Sequence, residues 1–267
     1  MGETLVAIPA HADDAELNAG GTMAKWAAEG GKVHIVMVTN NCSGKVLPPN
    51  GDERAARRLP PAEMTALRHR EQDTAASLIG ATVHHLGYPQ RHYWDGRRVV
   101  SIGFSEDAPP HPVAGARKKR LVPLLIAYLE REHVTALADL LVRLKPTLVI
   151  TQSPLDLDPE HHAVACFVWQ AFLARPRKLK CDLWFWTPGS SCQQGLTYPR
   201  HGVMMDISEF YEKKLELCRC HASQMTRVRW QMVEQRAARW GSEMGVRYAE
   251  PFSIAWFPRP GHPSCPS

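Results

Sequence analysis

A histidine and several carboxylates stand together near the start of the chain, in the stretch Ala10-His11-Ala12-Asp13-Asp14-Ala15-Glu16. The stretch follows an apolar run at residues 5–8 and precedes residues 17–29, whose apolar spacing suits an amphipathic helix. This order predicts a strand-to-helix turn, which is where open α/β sheets build their sites. Imidazole and one carboxylate bind zinc, and another carboxylate is then left to activate water. An aspartate that caps the helix beside a solvated aspartate and histidine would show the same pattern.

Together with the following Gly20-Gly21-Thr22, this stretch resembles the opening motif of the LmbE-like or PIG-L-like family of zinc-dependent N-acetylglucosamine deacetylases. Members usually have proline where this chain has Ala12, a difference that affects backbone stiffness and no ligand. The resemblance implies that His11 and Asp14 are zinc ligands. It also implies that Asp13 is the general base.

A second chemical stretch, Asp156-Leu157-Asp158-Pro159-Glu160-His161-His162, follows the predicted strand 147–151 and opens a predicted helix at 159–173. It resembles the family's His-Pro-Asp-His-x-Ala-Val signature, whose last histidine is the third zinc ligand. His161 aligns with that ligand. Without this context, a single histidine at a helix start would be read as a capping or surface residue.

The second stretch departs from the family at two positions. Asp158 stands where a histidine normally serves the oxyanion or the leaving group, and Glu160 replaces the usual aspartate. An ionised carboxylate cannot donate a hydrogen bond. We therefore expect zinc and another donor to serve the oxyanion, with Asp158 orienting a neighbouring histidine such as His162.

Two residues outside these stretches are expected to hold the substrate. Arg68 lies in a predicted helix at 62–79, three residues before Glu71, in a pattern similar to one in which the family's arginine holds the sugar. A solvated pair of the two residues would also fit this spacing. Gln90 follows a predicted strand, and the family usually has an aspartate there that points at the sugar.

Residues 91–120 show no clear periodicity and are rich in proline and glycine. A loop of this length inside a compact domain is usually functional or disordered. His92, Tyr93, Trp94, Phe104 and the basic residues of this insertion would form a wall for a bulky group beyond the sugar. A solvated insertion would have the same composition.

Strand-like and helical patterns alternate along the chain, which predicts a Rossmann-like three-layer α/β fold with a mostly parallel sheet. The active site is expected at the carboxyl ends of the strands. Further strands are predicted at residues 33–39, 82–86, 182–186 and 203–206, and further helices at 121–144, with a break near His133, and at 208–224, capped by Ser208. We predict a single domain over residues 1–257 and a tail over 258–267.

The composition sets limits on partners and location. The chain has 267 residues, a net charge of +5 and 44% hydrophobic residues, and no stretch approaches the roughly 20 apolar residues of a membrane span. The first strand begins too early for a signal peptide, so a cytoplasmic location is expected. The positive charge is local and small, and we expect no nucleic-acid partner. The seven scattered cysteines are expected to be thiols.

These patterns predict a hydrolase with one zinc ion per chain, held by a histidine, an aspartate and a second histidine. The resemblance implies removal of the acetyl group from an N-acetylglucosaminyl moiety on a larger molecule. One alternative is an amidase for a glycosylated antibiotic, such as a glycopeptide pseudoaglycone, or for a thiol-sugar intermediate. Another is a sugar-binding protein that has lost catalysis. The oligomeric state is left open.

Overall fold

The structure is a computed structural model that describes residues 3–101, 122–187 and 202–255. Its strands are β1 (Thr4–Ile8), β2 (Lys32–Thr39), β3 (Thr82–Tyr88), β4 (His92–Trp94), β5 (Val99–Ser101), β6 (Leu148–Thr151), β7 (Asp182–Trp186), β8 (Gly202–Asp206) and β9 (Ala249–Ala255). Its α-helices are α1 (Asp14–Ala28), α2 (Pro61–Ser77), α3 (Leu124–Ala127), α4 (Arg131–Leu144), α5 (Pro159–Ala174), α6 (Tyr211–Cys220) and α7 (Arg227–Met244).

Seven strands form one sheet in the order β3-β2-β1-β6-β7-β9-β8. The five strands from β3 to β7 in this order are parallel, and β9 runs antiparallel to both β7 and β8. The chain adds β2 and β3 on one side of β1 and then adds β6 on the other side. Ligands of open α/β sheets bind at such a reversal of strand order. The predicted mostly parallel α/β fold is confirmed.

The first strand shows how the three layers arise. Val6 and Ile8 join a core that α3, α4 and α5 cover, whereas Leu5 and Ala7 join a second core that includes residues of α1 and α2. Successive side chains of a strand point to opposite faces, so a fully apolar strand requires helices on both faces. Among the described helices, none is long and apolar enough to cross a membrane.

The predicted helix at 121–144 is two helices in the structure. Residues 128–130 separate α3 from α4, so the break comes before His133 rather than at it. His133 instead lies inside α4, and its Nδ1 is 3.1 Å from the hydroxyl of Tyr88.

The predicted helix at 208–224 is shorter and starts differently. It opens with a 3-10 turn, Ser208–Phe210, and the α-helix ends at Cys220. Ser208 does not cap it, because the Ser208 hydroxyl donates to Asp206 Oδ1 at 2.7 Å.

The predicted insertion at 91–120 begins with regular structure. Strands β4 and β5 form an antiparallel hairpin. Asp95 Oδ1 accepts hydrogen bonds of 2.8 Å from the backbone N–H groups of Arg97 and Arg98, and Gly96 adopts a φ of 99° in the turn. Residues 102–120 of the insertion and the predicted tail at 258–267 lie outside the described residues.

Candidate metal centre and active site

Three potential metal ligands meet beyond the carboxyl ends of β1 and β6, namely His11, Asp14 and His161. Their ligand atoms all lie within 4.8 Å of one another. His11 Nδ1 is 3.2 Å from His161 Nε2, and an oxygen of Asp14 lies 3.4 Å from each of these nitrogens. Two imidazoles and a carboxylate, with a fourth position for water, form a common hydrolytic zinc site. The structure thus brings together the three predicted ligands.

Each histidine has a carboxylate on its other ring nitrogen. His11 Nε2 is 2.9 Å from Glu160 Oε2, and His161 Nδ1 is 3.0 Å from Asp156 Oδ2. A carboxylate in this position holds the proton on the nitrogen that it contacts and fixes the ring. The opposite nitrogen, when it carries no proton, presents its lone pair to the cluster, which is the arrangement that a metal ion requires.

Asp14 is fixed through one oxygen. Asp14 Oδ2 accepts from the backbone N–H of His11 at 2.7 Å and from Gln152 Nε2 at 2.8 Å. Gln152 is fully buried at the end of β6. These bonds orient the carboxylate, so that Oδ1 can act as a ligand.

The charges of the cluster favour a cation at its centre. Burial lowers the pKa of His11, but the hydrogen bonds and charges of Asp14 and Glu160 outweigh burial and raise it to about 10. Burial raises the pKa of Asp14, yet the neighbouring histidines, His161 first, hold it well below its ordinary value. The pKa of Glu160 falls to about 2 against the effect of burial, chiefly through its bond to His11. The carboxylates are therefore ionised and attract positive charge.

Asp13 occupies the N-cap position of α1 but makes no capping hydrogen bond. Its backbone has φ 106° and ψ −28°, a left-handed conformation that costs energy for a residue with a side chain. Its buried carboxylate contacts two arginines instead. Arg68 Nη2 is 3.3 Å from Oδ1, and Arg229 Nη1 is 2.5 Å from Oδ2. The alternative of a helix-capping aspartate is therefore not what the structure shows.

Arg68 is nearly fully buried at 4% exposure and does not form a solvated pair with Glu71. Besides its contact with Asp13, it donates a hydrogen bond to the backbone carbonyl of Ala12. Glu71 accepts from the backbone N–H and the hydroxyl of Ser223, at 2.8 and 2.7 Å. Arg68 is thus anchored directly beside the candidate base.

A cavity of about 600 Å³ adjoins the cluster, and Arg68, Gln90 and Arg229 are among the residues that line it. Gln90 Oε1 accepts from the backbone N–H of Ser43 at 2.8 Å, and Gln90 Nε2 is 3.4 Å from Glu160 Oε2. Gln90 therefore closes one wall of the cavity and also contacts the carboxylate behind His11.

Tyr93 and Trp94 lie on β4, next to the cavity, but do not line its described part. The guanidinium of Arg58 lies over the Trp94 ring, 5.7 Å from its centre. His92, one residue earlier, does line the cavity. Alternate residues of a strand point to opposite sides, which explains why Tyr93 differs from His92; Trp94 shares the side of His92 but lies farther along the strand.

The prediction that Asp158 orients His162 is wrong, because the two side chains have other partners in the structure. Asp158 is the N-cap of α5, where Oδ1 accepts from the backbone N–H of Glu160 at 2.8 Å, and its Oδ2 lies 3.6 Å from Arg91. His162 is exposed, and its Nδ1 donates to the Pro154 carbonyl at 2.8 Å. The helix turn thus directs the His162 ring away from the Asp158 carboxylate.

A family model described as GlcNAc-PI de-N-acetylase (PIG-L) matches residues 6–172. A 1D-myo-inositol 2-acetamido-2-deoxy-alpha-D-glucopyranoside deacetylase from Streptomyces scabiei is 36% identical over 86 residues, or 32% of this chain. The match spans only 25% of that enzyme. An enzyme of the same description from Mycobacteroides abscessus is 27% identical over 262 residues, or 83% of this chain and 81% of that enzyme.

Among solved structures, the N,N'-diacetylchitobiose deacetylase from Pyrococcus horikoshii superposes with a TM-score of 0.65 and 20% identity, covering 95% of this chain and 84% of that chain. At this identity the likeness supports the fold alone. The family model extends over more than half of the sequence, and both chemical stretches, with His11 and His161, lie within the matched range. The chain therefore belongs to the PIG-L (GlcNAc-PI de-N-acetylase) family.

Proposed function

We propose that this protein is a zinc-dependent deacetylase that hydrolyses the N-acetyl group of an N-acetylglucosaminyl moiety carried on a larger molecule. The observation that carries the proposal is the position of Asp13. A buried carboxylate that caps no helix stands in strained backbone beside a His-Asp-His cluster. The activity named for the relatives from Streptomyces scabiei and Mycobacteroides abscessus supports the substrate class.

His11, Asp14 and His161 would hold one zinc ion. When bound, zinc supplies a Lewis acid, which polarises an amide carbonyl and makes water more acidic. The donor set fits this ion, because both imidazoles have a carboxylate on the far nitrogen and Asp14 is held through one oxygen only.

In the proposed reaction, Asp13 takes a proton from water as the water oxygen bonds to the carbonyl carbon of the acetamide. The carbon–nitrogen bond then breaks, and Asp13 returns the proton to the leaving nitrogen. The products are acetate and the free amino sugar. Arg68 and Gln90, both on the cavity wall, would hold sugar hydroxyl groups.

Asp158 has a positioning role in this proposal. As N-cap of α5 it fixes the first turn of the helix, which carries His161, and its other oxygen faces Arg91. The proposal assigns no role to His162, whose exposed ring bonds to the Pro154 carbonyl. Tyr93 and Trp94 would contact only a group larger than the sugar.

The expected cytoplasmic location stays a prediction.

Acetate release from a series of N-acetylglucosaminides tests the proposal. The series would contain N-acetylglucosamine, N,N'-diacetylchitobiose, the inositol glycoside and a glycopeptide pseudoaglycone, each with zinc-loaded protein. Asp13→Asn should keep zinc and lose about 10²- to 10⁴-fold in turnover, because an amide cannot take the proton. Asp139→Asn, on the surface of α4, is the matched control. Near-normal turnover in Asp13→Asn, or no acetate from any compound, would overturn the proposal.

A further inference from the structure

Both oxygens of the candidate base face a guanidinium group. Arg68 Nη2 lies 3.3 Å from Asp13 Oδ1, and Arg229 Nη1 lies 2.5 Å from Asp13 Oδ2. A water molecule that gives a proton to Asp13 must come within roughly 2.6–3.2 Å of one of these oxygens. Arg229 already occupies such a position on Oδ2. A carboxylate oxygen has two acceptor sites, and Arg229 fills one of those on Oδ2, so departure of Arg229 would free that site for water.

The two arginines differ in how firmly they are held. The Arg68 side chain is 5% exposed and has a second bond, to the Ala12 carbonyl. The Arg229 side chain is 40% exposed, and Asp13 is its only partner among the described residues. An exposed side chain with one bond exchanges partners at a smaller cost than a buried one with two. Arg229 is thus the arginine that can leave the base.

Arg229 also faces the place where a substrate would bind. It lines the cavity together with Val228 and Met232 of α7. Its neighbour on the same wall, Arg236, is already bonded to Asn18 Oδ1 at 3.1 Å and to the Thr187 carbonyl at 2.9 Å. Of the two α7 arginines that line the described cavity, Arg229 is therefore the one that can bind an oxygen of the sugar without losing two other bonds.

We propose that Arg229 exchanges partners when substrate binds, leaving Asp13 for an oxygen atom of the sugar and so opening Asp13 Oδ2 to water. Arg229 is in this role a substrate-binding residue, and base and substrate compete for it. The inference rests on the proposed deacetylase function. It adds Arg229 of α7 to the proposed site. Release of Arg229 from Asp13 gives water a further position on the base when a sugar occupies the cavity.

Arginine side-chain NMR on the zinc-loaded protein tests the exchange directly. The Nε–Hε signal of Arg229 is assigned by its loss in Arg229→Lys, and glucosamine, a product sugar, is the probe. The Arg229 signal should shift on saturation with glucosamine, while the signal of Arg239, which pairs with Glu243 and does not line the cavity, stays in place. Glucosamine binding that shifts other cavity signals but leaves Arg229 unchanged would overturn the proposal.

Kinetics separate substrate binding from a merely structural role. Arg229→Gln should raise KM for an N-acetylglucosaminide by at most about 10- to 100-fold, the value of a hydrogen bond to a charged group before the lost Asp13 contact is subtracted, and should keep kcat. If Arg229 served only to orient Asp13, kcat would fall and KM would stay, and the inference would be wrong. Arg239→Gln is the matched control on α7, since its side chain is 72% exposed and pairs with Glu243.

If the proposed deacetylase function were wrong, the same experiments would give a different result. In that case the wild-type protein would release no acetate from any sugar, whatever residue 229 is. A wild-type enzyme that releases acetate and an Arg229→Gln variant with unchanged KM would leave the function standing and remove this inference alone.

Discussion

The ring nitrogens of His11 and His161 that face away from the cluster each meet a carboxylate, Glu160 and Asp156 respectively. The negative charges stabilise positive charge on the rings, whether a metal ion or a proton supplies it. Zinc and protons therefore compete for the same nitrogens. Because the pKa of His11 is raised to about 10, the metal-free protein holds a proton there at neutral pH.

Zinc binding at pH 7 should release about one to two protons per chain, because a histidine must lose its proton before it binds the metal. The pKa of His11 is about 10, so the number released should fall as the pH approaches that value. Glu160→Gln should reduce the number at pH 7, since its charge is one cause of the raised pKa. Calorimetry in buffers of different ionisation enthalpy gives the count.

Glu63→Gln is the control for this measurement, because Glu63 is exposed at the start of α2 and should leave the count unchanged. Equal proton release from Glu160→Gln and the wild type would show that Glu160 does not set the proton affinity of His11.

Some residues of the site could be predicted from the sequence and others could not. The two groups differ in how far along the chain their contact partners lie. His11, Asp14 and His161 could be predicted because the motifs that carry them follow predicted strands and resemble the family's motifs. Gln152 contacts Asp14 across 138 residues, and Arg229 contacts Asp13 across 216. No local pattern links such pairs, because only the folded sheet and its helices bring them together.

At the level of elements, α7 and β9 have no counterpart in the sequence prediction, whereas apolar and β-branched runs identify β1, β2 and β6. Helix α7 buries only Val233, Ala237 and Gly241, a stripe too narrow to give a strong helical pattern. Glycine also disfavours a helix. Close packing explains its presence, since a Cβ at Gly241 would lie 2.5 Å from the Arg247 carbonyl oxygen.

A buried ion pair connects three elements near the site. Lys214 of α6 bonds to Glu250 of β9 at 2.5 Å, and both side chains are 3% exposed. Glu250 also accepts from the backbone N–H groups of Gly21 and Thr22 in α1, at 3.0 and 2.7 Å. Since α1 follows the motif that carries Asp13 and Asp14, this pair helps to set the position of the site.

Lys214→Met should lower the free energy of unfolding by about 3–5 kcal/mol, because it leaves the charge of Glu250 buried without its partner. Chemical denaturation of the variant and the wild type measures the difference. Lys213→Met is the matched control, since Lys213 pairs with Glu216 at the surface and such pairs are worth about 0–1 kcal/mol. Similar losses in the two variants would mean that the buried pair contributes no more to the free energy of unfolding than the surface pair does.

On the scale of the whole molecule, the candidate site and a group of histidines with lowered pKa lie in different parts of the sheet. The cluster lies at the centre of the sheet, beyond β1 and β6, whereas β3 forms one edge. Histidines gather near that edge: His34 Nδ1 is 3.3 Å from His84 Nε2, and the His69 ring stacks on His85 with centres 4.0 Å apart. Burial, followed by the charge of a neighbouring histidine, lowers the pKa of His34, His69 and His84.

These lowered pKa values predict loss of stability in mild acid. The pKa of His69 falls from 6.5 to about 4 in the folded protein. Between these values the unfolded chain binds a proton that the folded protein does not, so unfolding takes up protons and stability falls as the pH drops from 6.5 toward 4. His69→Gln should therefore lose less thermal stability than the wild type between pH 7 and pH 5, as scanning calorimetry would measure. All three proteins would be compared without zinc, and His162→Gln, at an exposed site, should behave like the wild type. If His69→Gln followed the wild-type curve, protonation of His69 would not contribute to acid unfolding.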